Sequence, residues 1–327
     1  MKKIVVFGAT GNTGKYLIQY LIENIDLNQY EIIAIGRKKE EDVTIDGKIS
    51  YFSVDITKKE DFIKLPKEDV YAVVNFAGAM PAQMREYNPQ QYIDVNITGT
   101  LNILEYCKEN NVDRIIYPQT EADLSGYWGK EKVIKPDFPR KYSLKGNYAP
   151  YIISKCTAVD LINHYHEQYG IKMFIFRLPT IYLYKENPYY YVNFEKKMLG
   201  YRILIEKAMK GEDIELWGDP KKEKDIVYVK DYCQMIFKAL FVNREKGIYN
   251  VGTGKAVSLQ EQIEGIIEVF SPQEQKSKIV YYPEKPDSRE FIMDISNAKE
   301  ELGYEPQYSY IEYLRDFKAE MEKEKNK

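Results

Sequence analysis

Ile4 to Phe7 is an unbroken apolar run that stops at Gly8-Ala9-Thr10-Gly11-Asn12-Thr13-Gly14, after which Tyr16, Leu17, Tyr20 and Leu21 recur at helical spacing. A short apolar run bounded by glycine reads as a strand buried on both faces, and recurrence at three and four residues reads as one face of a helix. The alternation continues down the chain. Strands are predicted from Glu31 to Ile35, Ile49 to Val54, Val70 to Phe76, Arg114 to Tyr117 and Lys172 to Arg177. Between them the clearest helices run from Asn88 to Glu109, with Tyr92, Val95, Leu101 and Leu104 on one face, and from Tyr151 to about Tyr169. Connections of this length serve only as crossovers, so the pattern predicts an α/β fold with a doubly wound parallel sheet.

Beyond Arg177 the spacing turns irregular through Tyr182 to Tyr191 and then helical from about Glu195 to Lys210, as in a smaller lobe. Asp225 to Val229 reads as a return to the main sheet, Val229 to Phe241 as a helix and Tyr249 to Val251 as a further strand. Ser258 and Glu261 have capping-box spacing, Ser296 is expected to cap a short helix, and Glu312 to Lys327 reads as a charged terminal helix. The expected division is a dinucleotide-binding domain of 1–178 with about 225–251, and a smaller C-terminal α/β substrate lobe of about 179–224 with 252–327. Leu124 to Pro150, rich in Gly, Pro, Lys and Tyr, reads as loops covering the strand ends.

Composition narrows the class of partner. A net charge of −3 over 327 residues gives no broad basic field, so neither nucleic acid nor an anionic membrane is an expected partner. No apolar segment is long enough to span a bilayer. Cys107, Cys156 and Cys233 are widely separated and in no metal-ligand spacing, which points to buried, reduced thiols, a cytoplasmic location and no metal site.

The chemistry is concentrated at strand ends. Gly8 suits a sharp turn, Gly11 a close approach of backbone to a pyrophosphate, and Gly14 close packing of helix on strand, with the following helix N-terminus facing the phosphates. About 20 residues on, where a carboxylate would meet the adenosine ribose, the chain instead has Gly36-Arg37-Lys38-Lys39. Cations there favour a 2′-phosphate, hence NADP over NAD. Tyr151 and Lys155 are four residues apart on one helical face, one crossover past Thr120 at a strand end, so the three can converge near a nicotinamide. A free tyrosine has a pKa near 10, and bringing it to 7 takes about 4 kcal/mol of charge stabilisation, which an ammonium and a positive nicotinamide ring can supply.

Taken in order, the segments resemble the extended short-chain dehydrogenases/reductases, the group that includes the nucleotide-sugar epimerases and dehydratases. The segments are Gly8 to Gly14, Asp55-Ile56, Asn75-Phe76-Ala77-Gly78, Asn96 with Gly99-Thr100, and Thr120 with Tyr151 and Lys155. They continue through Trp217-Gly218-Asp219, Asp225 to Asp231, Tyr249 to Gly252 and Leu302 to Pro306. The resemblance implies that Tyr151 transfers the proton, that Lys155 lowers its pKa and holds the ribose, that Thr120 stands where serine is more usual, and that Asn96 orients Lys155 through water. It implies cofactor contacts from Gly8, Gly11, Asn12, Thr13, Gly14, Arg37, Lys38, Asp55, Ile56, Phe76, Ala77 and Gly78, and substrate contacts from Glu121, Thr180, Lys224 and Arg289. It further implies a homodimer. Lys224 occupies a place where nucleotide-sugar relatives have arginine, and Thr180 one where they have asparagine. Dehydratases of the group follow the threonine with Asp-Glu, whereas this chain has Glu121-Ala122, so dehydration is disfavoured. The expected activity is hydride movement at C4 of a nucleotide-linked sugar, by epimerisation or ketosugar reduction. The alternatives are reduction of a small non-nucleotide carbonyl and a cofactor-sensing protein without turnover.

Overall fold

In a computed structural model, which describes residues 1–43, 47 and 49–325, the apolar runs assemble as one parallel sheet. Its strands are β1 (Lys2–Phe7), β2 (Tyr30–Gly36), β3 (Ile49–Ser53), β4 (Val70–Asn75), β5 (Arg114–Thr120), β6 (Lys172–Leu178) and β7 (Lys246–Asn250). They lie in the order β7–β6–β5–β4–β1–β2–β3, every pair parallel. Strand order therefore reverses between β1 and β4. A crevice opens at such a switch point beyond the carboxyl ends of the strands.

The continuity of the β1 run follows from burial on both faces. Ile4 and Val6 enter one core, with Leu17 and Leu21 of α1 (Asn12–Asn24) and with Tyr232 and Ile236 from Val229–Phe241. Val5 and Phe7 enter the other, with Ile103 and Leu104 of α2 (Gly99–Glu109) and Val159 and Ile162 of α3 (Ala149–Tyr169). Each such side chain contributes about 1.5–3 kcal/mol on burial.

Besides the helix expected from Asn88, interrupted at Ile93–Thr98, four elements differ from the sequence pattern. The helix from Glu195 is instead an antiparallel hairpin, Tyr189–Val192 with Glu195–Met198, followed by a helix at Gly200–Met209. Its two-residue turn places Asn193 at φ 47° and Phe194 at φ 69°. Both central residues of a tight hairpin turn are left-handed in the favoured geometry, and phenylalanine gives no warning of it. Asp225 to Val229 does not rejoin the main sheet: Glu223–Asp225 pairs with Ala256–Ser258, Val227–Tyr228 pairs with Ile181–Tyr182, and β7 makes the return. Ser296 opens the helix Ser296–Leu302 without capping it; its N–H donates to Asp294 Oδ1 at 2.9 Å, so Asp294 supplies the carboxylate. The 3-10 turns of Glu121–Tyr127 run into the start of the expected loops, Leu124 to Pro150, and within them Val133–Ile134 pairs with Ile292–Met293.

The local capping box does form, Ser258 N–H donating to Glu261 Oε2 at 2.8 Å and Glu261 N–H to Ser258 Oγ at 3.2 Å. The last helix spans Tyr310–Lys325, and Asn326 and Lys327 lie outside the described residues. All three cysteines are buried and free, and no described helix is long and apolar enough to cross a membrane.

Candidate active site

The turn after β1 is built by two missing side chains. Gly8 has φ +76°, and a Cβ there would lie 2.7 Å from the backbone of Phe76 and Ala77; a Cβ on Gly14 would lie 2.3 Å from the Gly8 carbonyl oxygen. With Gly11 as N-cap and no side chain capping it, α1 keeps its first N–H groups for an anion. A cleft of about 440 Å³ opens in front of this turn at the switch point, and Gly8, Gly11, Arg37, Asp55, Ile56, Phe76, Ala77 and Gly78 all line it. Thr13 and Gly14 belong to the first turn of α1, while Asn12 borders a neighbouring cleft. Lys38 is absent from the lining, and its carbonyl accepts a bond from the Tyr51 hydroxyl at 2.9 Å. Beneath the cleft, Asn75 Oδ1 accepts from Ala77 N–H at 3.1 Å, and Asn75 Nδ2 is buried without a protein partner.

The helix predicted from Asn88 to Glu109 is interrupted. Pro89–Tyr92 is α-helical, Ile93–Thr98 is π-helical, and α2 follows. Wide turns of this kind re-aim a side chain, here Asn96. Its Nδ2 donates to the Ala79 carbonyl at 3.1 Å and to Ser154 Oγ at 2.9 Å, and its Oδ1 accepts from Ala79 N–H at 2.8 Å. Ser154 Oγ donates in turn to the Tyr151 carbonyl at 2.8 Å. Asn96, expected to orient Lys155 through water, thus commits both amide hydrogens to joining the loop that bears Ala79 to α3.

Thr120, Tyr151 and Lys155 come together, all buried, where β5 meets the first turns of α3. The Tyr151 ring packs against Tyr92 at 5.7 Å and edge-on to Tyr148 at 5.3 Å between centroids. Burial drives the Tyr151 phenol well above its usual range; the charge of Tyr148 adds to the rise, and a hydrogen bond with Thr120 opposes it. Lys155 Nζ sits 3.9 Å above the Tyr117 ring, and burial pulls its ammonium down to about 7. In the chain alone, burial therefore favours the neutral form of both.

Glu121 follows Thr120 directly, its Oε2 3.4 Å from the Thr120 hydroxyl, which donates. Burial pushes its carboxyl up to about 7, against the pull of Arg289. Arg289 stacks on Trp128 at 4.5 Å and its charge also acts on Tyr148. Lys224 lies 5.8 Å above the Tyr182 ring, and its backbone bridges Phe291, two residues from Arg289. Thr180 is exposed just beyond β6. Sequence reasoning missed Tyr92, Tyr148 and Trp128, three of many aromatic residues with no spacing to single them out, and the buried Arg177–Asp123 pair, whose members are 54 residues apart.

A pH prediction follows from Glu121. A carboxyl whose folded pKa is raised from 4.5 to about 7 holds a proton in this window that the unfolded chain has released. Its contribution to stability therefore falls as pH rises from 4.5 to 7. Glu121→Gln should remove that fall, so the melting temperature of the variant gains on the parent across this window. A difference between them that is flat with pH would refute the shift.

Residues 4–252 match the family model described as the NAD dependent epimerase/dehydratase family. The chain is 26% identical over 314 residues to a putative UDP-glucose 4-epimerase of Methanocaldococcus jannaschii, covering 95% of this chain and 96% of that one. It is 27% identical over 258 residues to a dTDP-glucose 4,6-dehydratase of Xanthomonas campestris, covering 73% and 69%. Among solved structures, UDP-glucose 4-epimerase of Thermotoga maritima with UDP-glucose superposes with a TM-score of 0.76 at 23% identity, covering 98% of this chain and 99% of the other. UDP-glucuronic acid 4-epimerase of Bacillus cereus in complex with NAD does so with a TM-score of 0.72 at 21% identity, covering 98% and 97%.

Proposed function

Since this chain belongs to the NAD dependent epimerase/dehydratase family, we propose that it moves hydride at a sugar carbon, C4 by preference, of a nucleotide-linked hexose, with Tyr151 as acid and base. The observation that carries this reading is the burial of Thr120, Tyr151 and Lys155 together where the carboxyl end of β5 meets the first turns of α3. A dinucleotide fits the cleft because the missing side chains at Gly8 and Gly14 let the turn and α1 close tightly on the sheet, which sets the uncapped N-terminus of α1 towards a pyrophosphate. NAD or NADP, when bound, supplies the hydride acceptor and donor. Arg37 in the cleft lining favours the 2′-phosphate of NADP.

In this reading Thr120 orients the sugar hydroxyl, and Tyr151 takes its proton and later returns it. Lys155 binds the ribose, and its ammonium favours the phenolate. Asn96 holds α3 to the loop bearing Ala79. Lys224 and Arg289 supply positive charge for the diphosphate, Thr180 and Glu121 border the sugar, and the segments 179–224 and 252–327 form the substrate lobe. Lysine neutralises phosphate without the two-pronged grip of arginine, which makes a small non-nucleotide carbonyl the second reading. Elimination of water lacks its second carboxylate, since Ala122 stands there, buried. The homodimer forms through the helices that hold Asn96 and Tyr151, where Ile93, Leu101 and Ile153 are 40%, 37% and 38% exposed.

Incubation with UDP- and dTDP-hexoses and their 4-keto forms, followed by absorbance at the nicotinamide band and by product analysis, tests the proposal. Interconversion of C4 epimers without net change in absorbance is the outcome for an epimerase, and stoichiometric NADPH oxidation that for a reductase. Inertness towards every nucleotide-sugar, with turnover of free carbonyl compounds, would select the second reading.

A further inference from the structure

The chain has 30 tyrosines, and the proposed chemistry uses one. Seven others line a second cleft of about 980 Å³, to which none of Thr120, Tyr151 and Lys155 contributes. One wall is α1, where the exposed Gln19 stands between the half-buried Tyr16 and Tyr20, and the other is the hairpin bearing Tyr189, Tyr190 and Tyr191. The hairpin is anchored by Phe194, edge-on to Tyr87 at 6.5 Å, and by Arg85 over Tyr191 at 5.9 Å. Gln83 lines both this cleft and the dinucleotide cleft, so the two adjoin.

We infer that this tyrosine-lined cleft is a binding site for a neutral saccharide chain. Three features of the lining select that class. Rings give flat faces against which the C–H face of a pyranose packs, and their hydroxyls give polar edges. Between the rings stand amides, Gln19, Asn187 and Gln307, and carboxylates, Glu23 and Glu186, which suit neighbouring hydroxyls that both donate and accept. Charge is nearly balanced and partly spent internally, Lys230 lying 2.6 Å from Asp316 and 3.4 Å from Glu320, so no strong field favours a second anion. Aromatic-lined grooves also take proline-rich peptides. A polyproline segment, however, has carbonyls and no N–H to donate, and it would leave Glu186 unanswered, whereas Glu23 already accepts from Gln19 Nε2. None of Thr120, Tyr151 and Lys155 lines this cleft, although the hairpin wall belongs to the proposed substrate lobe and Asn12 to the proposed cofactor contacts, so the inference goes beyond the proposed reaction while sharing its lobe.

The test titrates the full-length protein, its tyrosine rings labelled with carbon-13, with maltohexaose, cellohexaose and chitohexaose. At least one hexaose should give saturable shifts in the ring signals of Tyr189 and Tyr190, and Tyr189→Ala/Tyr190→Ala should weaken its binding about tenfold, or about 1.4 kcal/mol. Affinity for NAD or NADP should stay within about twofold, because neither ring lines the dinucleotide cleft. If the double variant does not fold, Gln19→Ala on the exposed wall of α1 takes its place, with an expected loss of about threefold. Absence of saturable shifts with all three hexaoses to about 10 mM overturns the inference, as do affinities unchanged in the variants. A response to decaproline and to no hexaose overturns it in favour of a peptide groove.

Discussion

Tyr151→Phe should lower kcat by about 10³-fold, within the range that positioned proton transfer contributes, while dinucleotide affinity changes little. The substitution removes one oxygen and keeps the ring between Tyr92 and Tyr148. Losing the hydroxyl forfeits at most the equivalent of one hydrogen bond, about 1 kcal/mol in stability, too little to unfold the chain. The effect should therefore fall on kcat and spare both the melting temperature and the cofactor dissociation constant. Burial, helped by the charge of Tyr148, holds this phenol high, so reaching the phenolate near neutrality depends on positive charge brought alongside. Steady-state rates on the substrate found above, with cofactor titration by fluorescence, decide the matter. Retention of more than about a tenth of the parental rate would remove Tyr151 from the proton-transfer role.

The second large effect concerns stability. Arg177 on β6 and Asp123 in the 3-10 segment after β5 form a buried pair, with Nε 3.0 Å from Oδ1 and Nη2 3.2 Å from Oδ2. Arg177 Nη1 also donates to the Pro136 carbonyl at 3.0 Å. Both side chains are almost inaccessible, at 5% and 1%. Arg177→Met leaves a buried carboxylate without its counter-ion, and breaking such a pair from one side costs about 3–5 kcal/mol. Burial already raises the Asp123 carboxyl against the pull of Arg177, so it should protonate more readily in the variant. Arg177→Met/Asp123→Leu removes both charges and should recover most of the loss. Urea unfolding of the three proteins reads this directly. A single-variant loss below about 1 kcal/mol would mean that the pair is solvated in solution.

The parts of the fold legible in the sequence are those fixed by near neighbours. Two-sided burial writes β1 as a continuous apolar run, the glycine spacing writes the turn into α1, and Ser258 with Glu261 writes its own capping box. The unread parts depend on partners remote in sequence or on backbone states that the residue type does not announce. Glu195–Met198 reads Glu-Lys-Lys-Met, which suits a helix, until the left-handed pair Asn193 and Phe194 folds it back on Tyr189–Val192. Asn96 was found, but the π-helical turn that aims it at Ala79 and Ser154 leaves no mark in periodicity over six residues. The candidate site was legible as three residue types at strand and helix ends. Its electrostatics were not, because the displacement of Lys155 and Glu121 to about 7 comes from burial that only the assembled chain creates.

The bridge from Ala79 through Asn96 and Ser154 to Tyr151 makes three stretches of chain answerable to one another. An amide at 96 presents oxygen and nitrogen at once to the N–H and carbonyl of a single residue, which neither aspartate nor leucine can imitate, and the hydroxyl at 154 receives what remains. Drift at either position is therefore restrained by the other. Among descendants of this sequence, replacements at 96 and 154 should be inherited together or not at all.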